Sequence, residues 1–375
     1  MNFLINCSNL DRGGSLQVAD SLCCGLNRYP QHRFCVVLSP QLALTAKRIE
    51  CYNNVHVHMY AFKNNDSVSQ TQREPFLDAL VDDERIDAVL TVFGPSVWSP
   101  RCPHVSGFAR AHIVLEEGNP FFERMDLNEQ TRIMLHNYIL CRYFDKSSNV
   151  YFTESQFVSK KLMEMFPQKR IYTISNCYHQ VFDHPEKQKE KPLPPFNGVT
   201  LLTVSAYYPH KNLGIIKEIS TELQKKYPEF SYRFVLTLDK PNVPELKDCP
   251  DEHILFIGKV DIAEVPSLYR QCNICFMPSL QECFSATYPE AMRSQKPIVT
   301  TDLDFAHCLC GNAASYYSPL SAADAADKIM ELVNSPELKI RLIEYGKHQL
   351  LSYDNYETRL HKLINLLKNK AVSCK

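Results

Sequence analysis

Two glutamates and the small residues between them are the part of the sequence best suited to chemistry. Glu282 and Glu290 lie in the run LQECFSATYPEAM, and the segment NICFMPSL before Glu282 predicts a buried strand. Glu282 is therefore expected in a loop at the carboxyl end of a strand, where ligands of open α/β sheets bind, and could contact the hydroxyls of a sugar. Glu290 could accept hydrogen bonds from a ribose diol.

A helix start between the two acids adds a site for an anion. Ser285 is a good N-cap, so the sequence predicts that the helix begins near it, with Pro289 in or just after the first turn. The backbone N–H groups of Phe284, Ser285 and Ala286 would then point towards a diphosphate, which the helix dipole also favours. A solvated pair of acids on a helix face is the alternative, but the residues between them favour a nucleotide site.

The composition of the chain is that of an ordinary globular protein. Its 375 residues suffice for two domains, with 45% hydrophobic and 22% charged residues. The net charge of −1 provides no general field for nucleic acid, so no nucleic-acid partner is expected. No stretch of about eighteen apolar residues predicts a membrane span. The first apolar segment is too short for a signal peptide. The chain has 15 cysteines, which we interpret as reduced thiols, so we expect a cytoplasmic protein.

Strand and helix patterns alternate along both halves of the chain. This order predicts an α/β fold with parallel sheets that are covered by helices on both faces. A charged, proline-rich segment at 183–198 predicts a linker. We place an N-terminal domain at 1–190 and a C-terminal domain at 191–351, and we expect the last helix, about 352–375, to pack against the first domain.

Residues 119–150 interrupt the alternation and predict one long helix with an apolar face. Packing of this face on the sheet is the ordinary interpretation, and a surface that faces lipid or acceptor is the other. The residues that define the face are Leu127, Ile133, Met134, Tyr138 and Leu140.

A glycine pair, Gly13 and Gly14, separates the first strand from the first helix. Glycine there lets the backbone approach a ligand closely, and a helix N-terminus offers N–H groups to an anion. An ordinary tight turn explains the same pair. The strand is not followed by G-x-G-x-x-G, and no Walker lysine motif occurs, so a P-loop is not expected.

The second half of the chain resembles the C-terminal half of glycosyltransferase family 4, the group 1 glycosyltransferases. The resemblance covers 198–351 and includes the E-x7-E spacing of Glu282 and Glu290, the Phe-Ser after the first acid and the Glu-Ala-Met at the second. The first half resembles the family's acceptor domain more loosely, through Gly13-Gly14 and the segments NVYFTESQFVSKKL and TISNCYHQVF. The resemblance implies a GT-B fold, in which two Rossmann-like domains with parallel sheets face each other across a cleft.

The resemblance also implies roles in a donor site. Glu290 would bind the nucleotide ribose, Glu282 the transferred sugar, and the amides of 284–286 the distal phosphate and the sugar. The family has an arginine and, five positions on, a lysine that neutralise the diphosphate. In this chain Lys211 fits the lysine, but Ala206 stands at the arginine position.

The loss of that arginine removes a bidentate contact that alanine cannot replace. His210 and Arg12 are the candidates to compensate for it. The family usually has a histidine at the end of a strand in the first domain, where it faces the donor sugar. His112 is preferred for this role over His104, which starts an apolar run, and the two acids at 116–117 could contact acceptor.

No metal or other cofactor is expected. Cys272 and Cys275 form a lone C-x-x-C, which lacks the four ligands of a structural zinc site. Asp302 and Asp304 form a D-x-D, a spacing that holds a divalent metal in another transferase fold. In the fold implied here, amides and lysine bind the phosphates, so both features are interpreted without metal.

Together these features predict a glycosyltransferase that moves a sugar from a UDP- or GDP-sugar to a hydroxyl of a glycan or lipid-linked acceptor. The resemblance implies synthesis of surface polysaccharide or lipopolysaccharide, with retention of anomeric configuration. Ala206 leaves open a catalytically weak partner subunit that binds a sugar nucleotide, and an epimerase of the same fold is a further alternative. Peripheral contact with the inner face of a membrane also stays open.

Overall fold

The computed structural model describes residues 1–11, 13–60, 74–96, 98–114, 118–249 and 252–373. Arg12 and the acids at 116–117 lie outside these residues. The chain divides into two compact units. Unit 1 comprises Met1–Val114, Leu127–Asn176 and Asp354–Lys375, and unit 2 comprises Leu115–Asp126 and Cys177–Tyr353. The main division thus falls between Asn176 and Cys177, whereas the sequence analysis placed it between 190 and 191.

Unit 1 is built on a parallel sheet. Its strands are β1 (Asn2–Cys7), β2 (Arg33–Leu38), β3 (Val55–Met59), β4 (Ala88–Thr91), β5 (His104–Phe108), β6 (Val150–Thr153) and β7 (Arg170–Thr173). They pair in the order β3-β2-β1-β4-β5-β6-β7, and every pair is parallel. Consecutive residues of β1, from Phe3 to Ile5, are fully buried, because an inner parallel strand is covered on both faces.

Unit 2 repeats this architecture with a smaller sheet. Its strands are β8 (Val199–Thr203), β9 (Tyr232–Leu236), β10 (Ile254–Phe256), β11 (Ile274–Met277), β12 (Ile298–Thr301) and β13 (Ala314–Tyr317). They pair in parallel in the order β10-β9-β8-β11-β12-β13. The α/β class and the two parallel sheets that the sequence predicted are therefore confirmed.

Helices cover the two sheets. In chain order they are α1 (Gly14–Cys24), α2 (Ala43–Ile49), α3 (Pro75–Asp83), α4 (Pro120–Glu123), α5 (Leu127–Ser147), α6 (Gln156–Met165), α7 (Ile215–Lys226), α8 (Val265–Gln271), α9 (Thr287–Arg293), α10 (Asp304–Cys310), α11 (Ala322–Asn334), α12 (Pro336–Leu350) and α13 (Tyr356–Ser373). None of the described helices is long and apolar enough to cross a membrane.

The segment predicted as one long helix, 119–150, forms the two helices α4 and α5. The side chain of Asn119 caps α4 by accepting a hydrogen bond from the amide of Phe121 at 3.0 Å. The apolar residues of α5 do not pack on the sheet as predicted, since Leu127, Met134 and Tyr138 are 80%, 62% and 60% exposed. At about 100° per residue, Met134 and Tyr138, which are 7 and 11 positions after Leu127, fall on the same side of the helix as Leu127, so the three form an apolar face that is exposed and does not pack on the sheet.

The last helix, α13, belongs to unit 1 although it follows all of unit 2 in sequence. Leu363, Ile364 and Leu367 are buried in the same core as Phe3 and Ile5 of β1. Burial of a leucine or isoleucine side chain stabilises the fold by about 1.5–3 kcal/mol. This apolar contact therefore holds the chain end on the sheet of unit 1.

A buried ion pair fixes α13 further. Nη2 of Arg359 lies 2.7 Å from Oε1 of Glu154, and the two side chains are only 8% and 7% exposed. The same guanidinium donates to Oδ1 of Asn176. Burial raises the pKa of Glu154, and the positive charge of Arg359 opposes this rise. Arg359, with a hydrogen bond from Asn176, thus compensates for the burial of this carboxylate.

We predict that Arg359→Ala lowers the free energy of unfolding of unit 1 by about 3–5 kcal/mol, because it leaves Glu154 buried and unpaired. Glu357→Gln on the same helix is the matched control, since the pair of Glu357 with Arg28 is about half exposed and such pairs contribute ~1 kcal/mol or less. Urea denaturation checks both values. Equal effects of the two changes would contradict the role given to Arg359.

Candidate functional site

The strand order of unit 2 determines where its loops gather. Connections run outwards in opposite directions from the central neighbours β8 and β11, so the loops after these two strands separate and leave a crevice. A pocket lies at this position. It is lined by Thr203, Val204, Ser205, Lys211, Leu213, Met277, Pro278, Ser279, Ser285, Thr287 and Tyr288. The pocket thus has hydroxyl groups from the carboxyl ends of β8 and β11 and one lysine, Lys211, from the loop after β8.

Two of the predicted site residues meet beside this pocket. Nζ of Lys211 lies 2.5 Å from Oε1 of Glu282, with side-chain exposures of 16% and 8%. A backbone hydrogen bond of 2.8 Å from the amide of Leu280 to the carbonyl of His210 joins the two loops that carry them. This hydrogen bond between the two loops keeps the side chains of the lysine and the acid next to each other.

Glu290, the second acid of the predicted pair, is on α9 and only 3% exposed. The hydroxyl of Tyr269, on α8, donates to Oε2 of Glu290 at 3.2 Å. Burial raises the pKa of Glu290 to about 7, and the hydrogen bond from Tyr269 offsets part of that rise. A carboxyl group with this pKa changes its charge near neutral pH. Tyr269 was missed by the sequence analysis, because no local pattern indicates that a hydroxyl on α8 lies within hydrogen-bond distance of an acid on α9.

The N-cap that the sequence placed at Ser285 is wrong by one residue. Helix α9 begins at Thr287 after an N-cap at Ala286 that makes no side-chain cap, and the hydroxyl of Ser285 pairs instead with that of Thr287 at 2.8 Å. Pro289 explains the shift, because its ring would clash with the carbonyl of Ser285 if that residue were helical. The amides of Phe284, Ser285 and Ala286 therefore belong to the loop before the helix.

A segment from the first half of the sequence contributes to the same part of unit 2. Nδ2 of Asn119 donates to the carbonyl of Leu280 at 3.1 Å, two residues before Glu282. Nη1 of Arg124 donates to Oδ1 of Asn212 at 2.8 Å. Asn212 directly follows Lys211 and has a positive φ of 50°. Sequence reasoning missed this segment, since no local pattern indicates that a short helix of the first half packs on loops of the second.

The remaining predicted residues are in unit 1 or beside the pocket. In unit 1, Gly13 has a φ of 69°, which favours glycine. A Cβ atom on Gly14 would meet nothing within 4 Å. His112 lies in a single helical turn after β5, where its carbonyl accepts a hydrogen bond from Asn137 at 2.5 Å. In unit 2, Ala206 is exposed in the loop after β8.

The two parallel sheets give the chain the fold of GT-B glycosyltransferases. A glycosyltransferase from Rickettsia africae is similar with a TM-score of 0.72 at 15% identity, over 98% of both chains. Anabaena HepE, solved in complex with UDP and glucose, is similar with a TM-score of 0.67 at 15% identity, over 98% of this chain and 99% of that one. At such identities the likeness establishes the fold.

Sequence comparison then shows which family part of the chain resembles. Residues 198–335 match the family described as Glycosyl transferases group 1, which confirms the predicted resemblance. The O-antigen chain mannosyltransferase RfbU of Salmonella typhimurium is 26% identical over 38% of this chain and 41% of its own length. A phosphatidyl-myo-inositol mannosyltransferase of Mycobacterium leprae is 25% identical over 42% and 43%. The matches span about two fifths of these curated relatives.

We predict that Glu290→Gln stabilises the protein at pH 8 and much less at pH 5. The folded-state pKa of about 7 exceeds the ordinary value of 4.5, so the stability associated with the neutral carboxyl is present below about 4.5 and is lost as the pH rises through 7. Glutamine cannot ionise and avoids this loss, which amounts to roughly 1–3 kcal/mol. Urea denaturation at pH 5, 6, 7 and 8 measures the difference. Parallel pH profiles of the two proteins would refute the prediction.

Proposed function

We propose that the protein transfers a glycosyl group from a nucleotide-diphosphate sugar to a hydroxyl acceptor. The observation that carries this proposal is the ion pair of Lys211 and Glu282 beside a hydroxyl-lined pocket at the strand reversal of unit 2. Ligands of open α/β sheets bind at such reversals. The match of residues 198–335 to the group 1 family also supports this proposal.

In this proposal each group acts on a different part of the donor. The ammonium of Lys211 neutralises negative charge that gathers on the departing diphosphate, which is the main requirement of the reaction. Loop amides of 284–286 donate to the distal phosphate. Glu282 binds hydroxyls of the transferred sugar, and Glu290 accepts hydrogen bonds from the ribose. Positioning of the acceptor hydroxyl against the anomeric carbon supplies much of the remaining rate enhancement.

The donor, the acceptor and the stereochemistry are proposed by analogy with the similar proteins. The donor is a UDP- or GDP-sugar, and the transfer needs no metal. The acceptor is a glycan or a lipid-linked molecule, and the reaction contributes to the synthesis of a surface polysaccharide or lipopolysaccharide. Support comes from the names of the similar proteins, an O-antigen chain mannosyltransferase and HepE with UDP and glucose. We propose retention of anomeric configuration, with attack on the face that the diphosphate leaves. The donor-binding roles of Gly13, Gly14 and His112, which belong to unit 1, stay predictions of the sequence analysis.

We further propose that Arg124 supplies the second positive charge that the diphosphate needs. Lys211 is already paired with Glu282, and Ala206 provides no charge at the position where the family has arginine. Arg124 reaches the residue after Lys211 through its hydrogen bond to Asn212. A guanidinium there can bind phosphate oxygens in a bidentate manner.

The activity is tested by incubating the protein with UDP- and GDP-sugars and a set of glycan and lipid-linked acceptors. Release of nucleoside diphosphate and mass analysis of the acceptor report transfer. A thermal-shift series with the same nucleotides identifies the donor first, because a bound ligand raises the melting temperature by mass action. Absence of both binding and transfer across the series would refute the proposal.

We predict that Lys211→Ala and Glu282→Ala each lower transfer at least tenfold, a loss of about 1.4 kcal/mol or more in transition-state stabilisation. Circular dichroism should show that both variants remain folded. The control is Lys347→Ala, which removes an exposed lysine paired with Glu344 in the same unit. Turnover like that of the wild type in both site variants, measured with the correct donor, would end the proposal.

We predict that Arg124→Ala weakens binding of the nucleoside diphosphate by about tenfold, whereas binding of the uncharged nucleoside changes little. The difference follows because an arginine contact acts on the phosphate charge. Arg124→Lys should recover part of the loss, since the charge returns without the planar fork. Calorimetric titration gives both affinities. An equal loss for nucleoside and diphosphate would assign Arg124 a role in structure instead.

A catalytically weak subunit that binds sugar nucleotides is the second candidate function. The observation that favours it is Ala206, which leaves the diphosphate with one cation fewer than the family's arginine and lysine pair. Such a protein would show the thermal shift with a sugar nucleotide but no transfer. An epimerase of the same fold is distinguished by product analysis without acceptor, since it would change the sugar of the donor.

A further inference from the structure

Two histidines and a glutamate come together at the outer edge of unit 1, far along the sheet from its central strands. His56 and His58 are two residues apart on β3, the edge strand of the seven-stranded sheet, so their side chains project from the same face. Their rings are 4.3 Å apart between centroids. Glu84 directly follows α3, and its Oε1 lies 2.8 Å from Nδ1 of His56.

The three side chains hold their ligand atoms close enough together to reach one metal ion after small movements. One nitrogen of each histidine and one carboxylate oxygen all lie within 4.8 Å of one another. Tetrahedral zinc with bonds of about 2.1 Å needs its ligands roughly 3.4 Å apart. Small rotations of partly exposed side chains would bring the three atoms to that spacing. A water molecule would complete the four ligands.

The environment of His58 gives an independent indication. Nε2 of His58 is buried and has no hydrogen-bond partner within the described residues. Its ring packs edge-on against Phe76 of α3, with 6.0 Å between centroids, so the imidazole cannot turn freely to solvent. A buried polar atom without a partner calls for an explanation, and an ion or a water molecule is the usual one.

We propose that His56, His58 and Glu84 form a site for a divalent transition metal of the zinc class. Two imidazoles and one carboxylate are ligands that such ions prefer, whereas magnesium and calcium prefer oxygen ligands alone. The site is separate from the lone C-x-x-C and D-x-D features, on which the expectation of no metal depended. It also does not depend on the proposed transfer reaction.

The bound ion would act as a link within unit 1. It would join the edge strand β3 to Glu84, the residue directly after α3, in addition to the ring contact between His58 and Phe76. Edge strands are the least protected part of a sheet because one side has no neighbouring strand. Metal binding to the folded state alone stabilises that state by mass action. The expected consequence is a melting temperature that depends on zinc.

The test uses the full chain after removal of metal by a chelator. Titration with Co²⁺ should give visible absorption without the charge-transfer bands of thiolate ligands, which separates this site from the cysteines. Zn²⁺ titration by calorimetry should show one equivalent more for the wild type than for His58→Gln. Loss of one ligand should weaken binding at least about tenfold, as even indirect partners of a metal site cost 10–100-fold.

The variants are His56→Gln, His58→Gln and Glu84→Gln, and His136→Gln is the matched control because His136 is an exposed histidine of the same unit. Zinc should raise the melting temperature of the wild type and the control but not of the three variants. Circular dichroism without metal checks that each variant is folded. Equal uptake of metal and equal thermal shifts in wild type and His58→Gln would overturn the proposal and leave an ordinary ion pair of His56 with Glu84.

Discussion

Burial of two carboxylates beside one short helix is the constraint around which unit 2 is organised. Glu282 and Glu290 are 6% and 3% exposed, and a buried charge is unfavourable unless a partner compensates for it. The two acids are compensated in different ways. Lys211 pairs with Glu282, while Glu290 accepts a hydrogen bond from the neutral hydroxyl of Tyr269 and takes up a proton more readily. Such groups lower stability, and proteins retain them chiefly where they bind or react.

The strand order explains why these acids are in one place. Glu282 follows β11 and Lys211 follows β8, and the two strands are neighbours only because the sheet reverses its winding between them. Local sequence patterns were sufficient to predict the strands and the parallel class, since inner strands such as NFLINC and NICFMPS are continuous apolar runs. The resemblance to a family, rather than the pattern, singled out Lys211 before the structure brought it to the acid.

Features that depend on distant parts of the chain were not accessible to sequence reasoning. The start of α9 was misplaced because Ser285 is a good N-cap in isolation, whereas Pro289 excludes that residue from the helix. The apolar face of α5 was assigned to the sheet, whereas Leu127, Met134 and Tyr138 on that face are exposed. Arg124 and Tyr269 were missed because their partners are 88 and 21 residues away. In each case tertiary contact prevails over local preference.

Charge balance connects these observations to the chemistry proposed for unit 2. With both acids ionised, the region of Lys211 would have two negative charges and one positive charge, and a diphosphate would be repelled. Protonation of Glu290, whose pKa is about 7, removes one negative charge. Arg124 adds a positive charge beside Asn212. A site that is neutral or slightly positive can then accept an anion, and Glu290 can ionise once ribose hydroxyls donate to it. Donor binding near neutral pH should therefore release protons, in a number that falls as the pH is raised above 7.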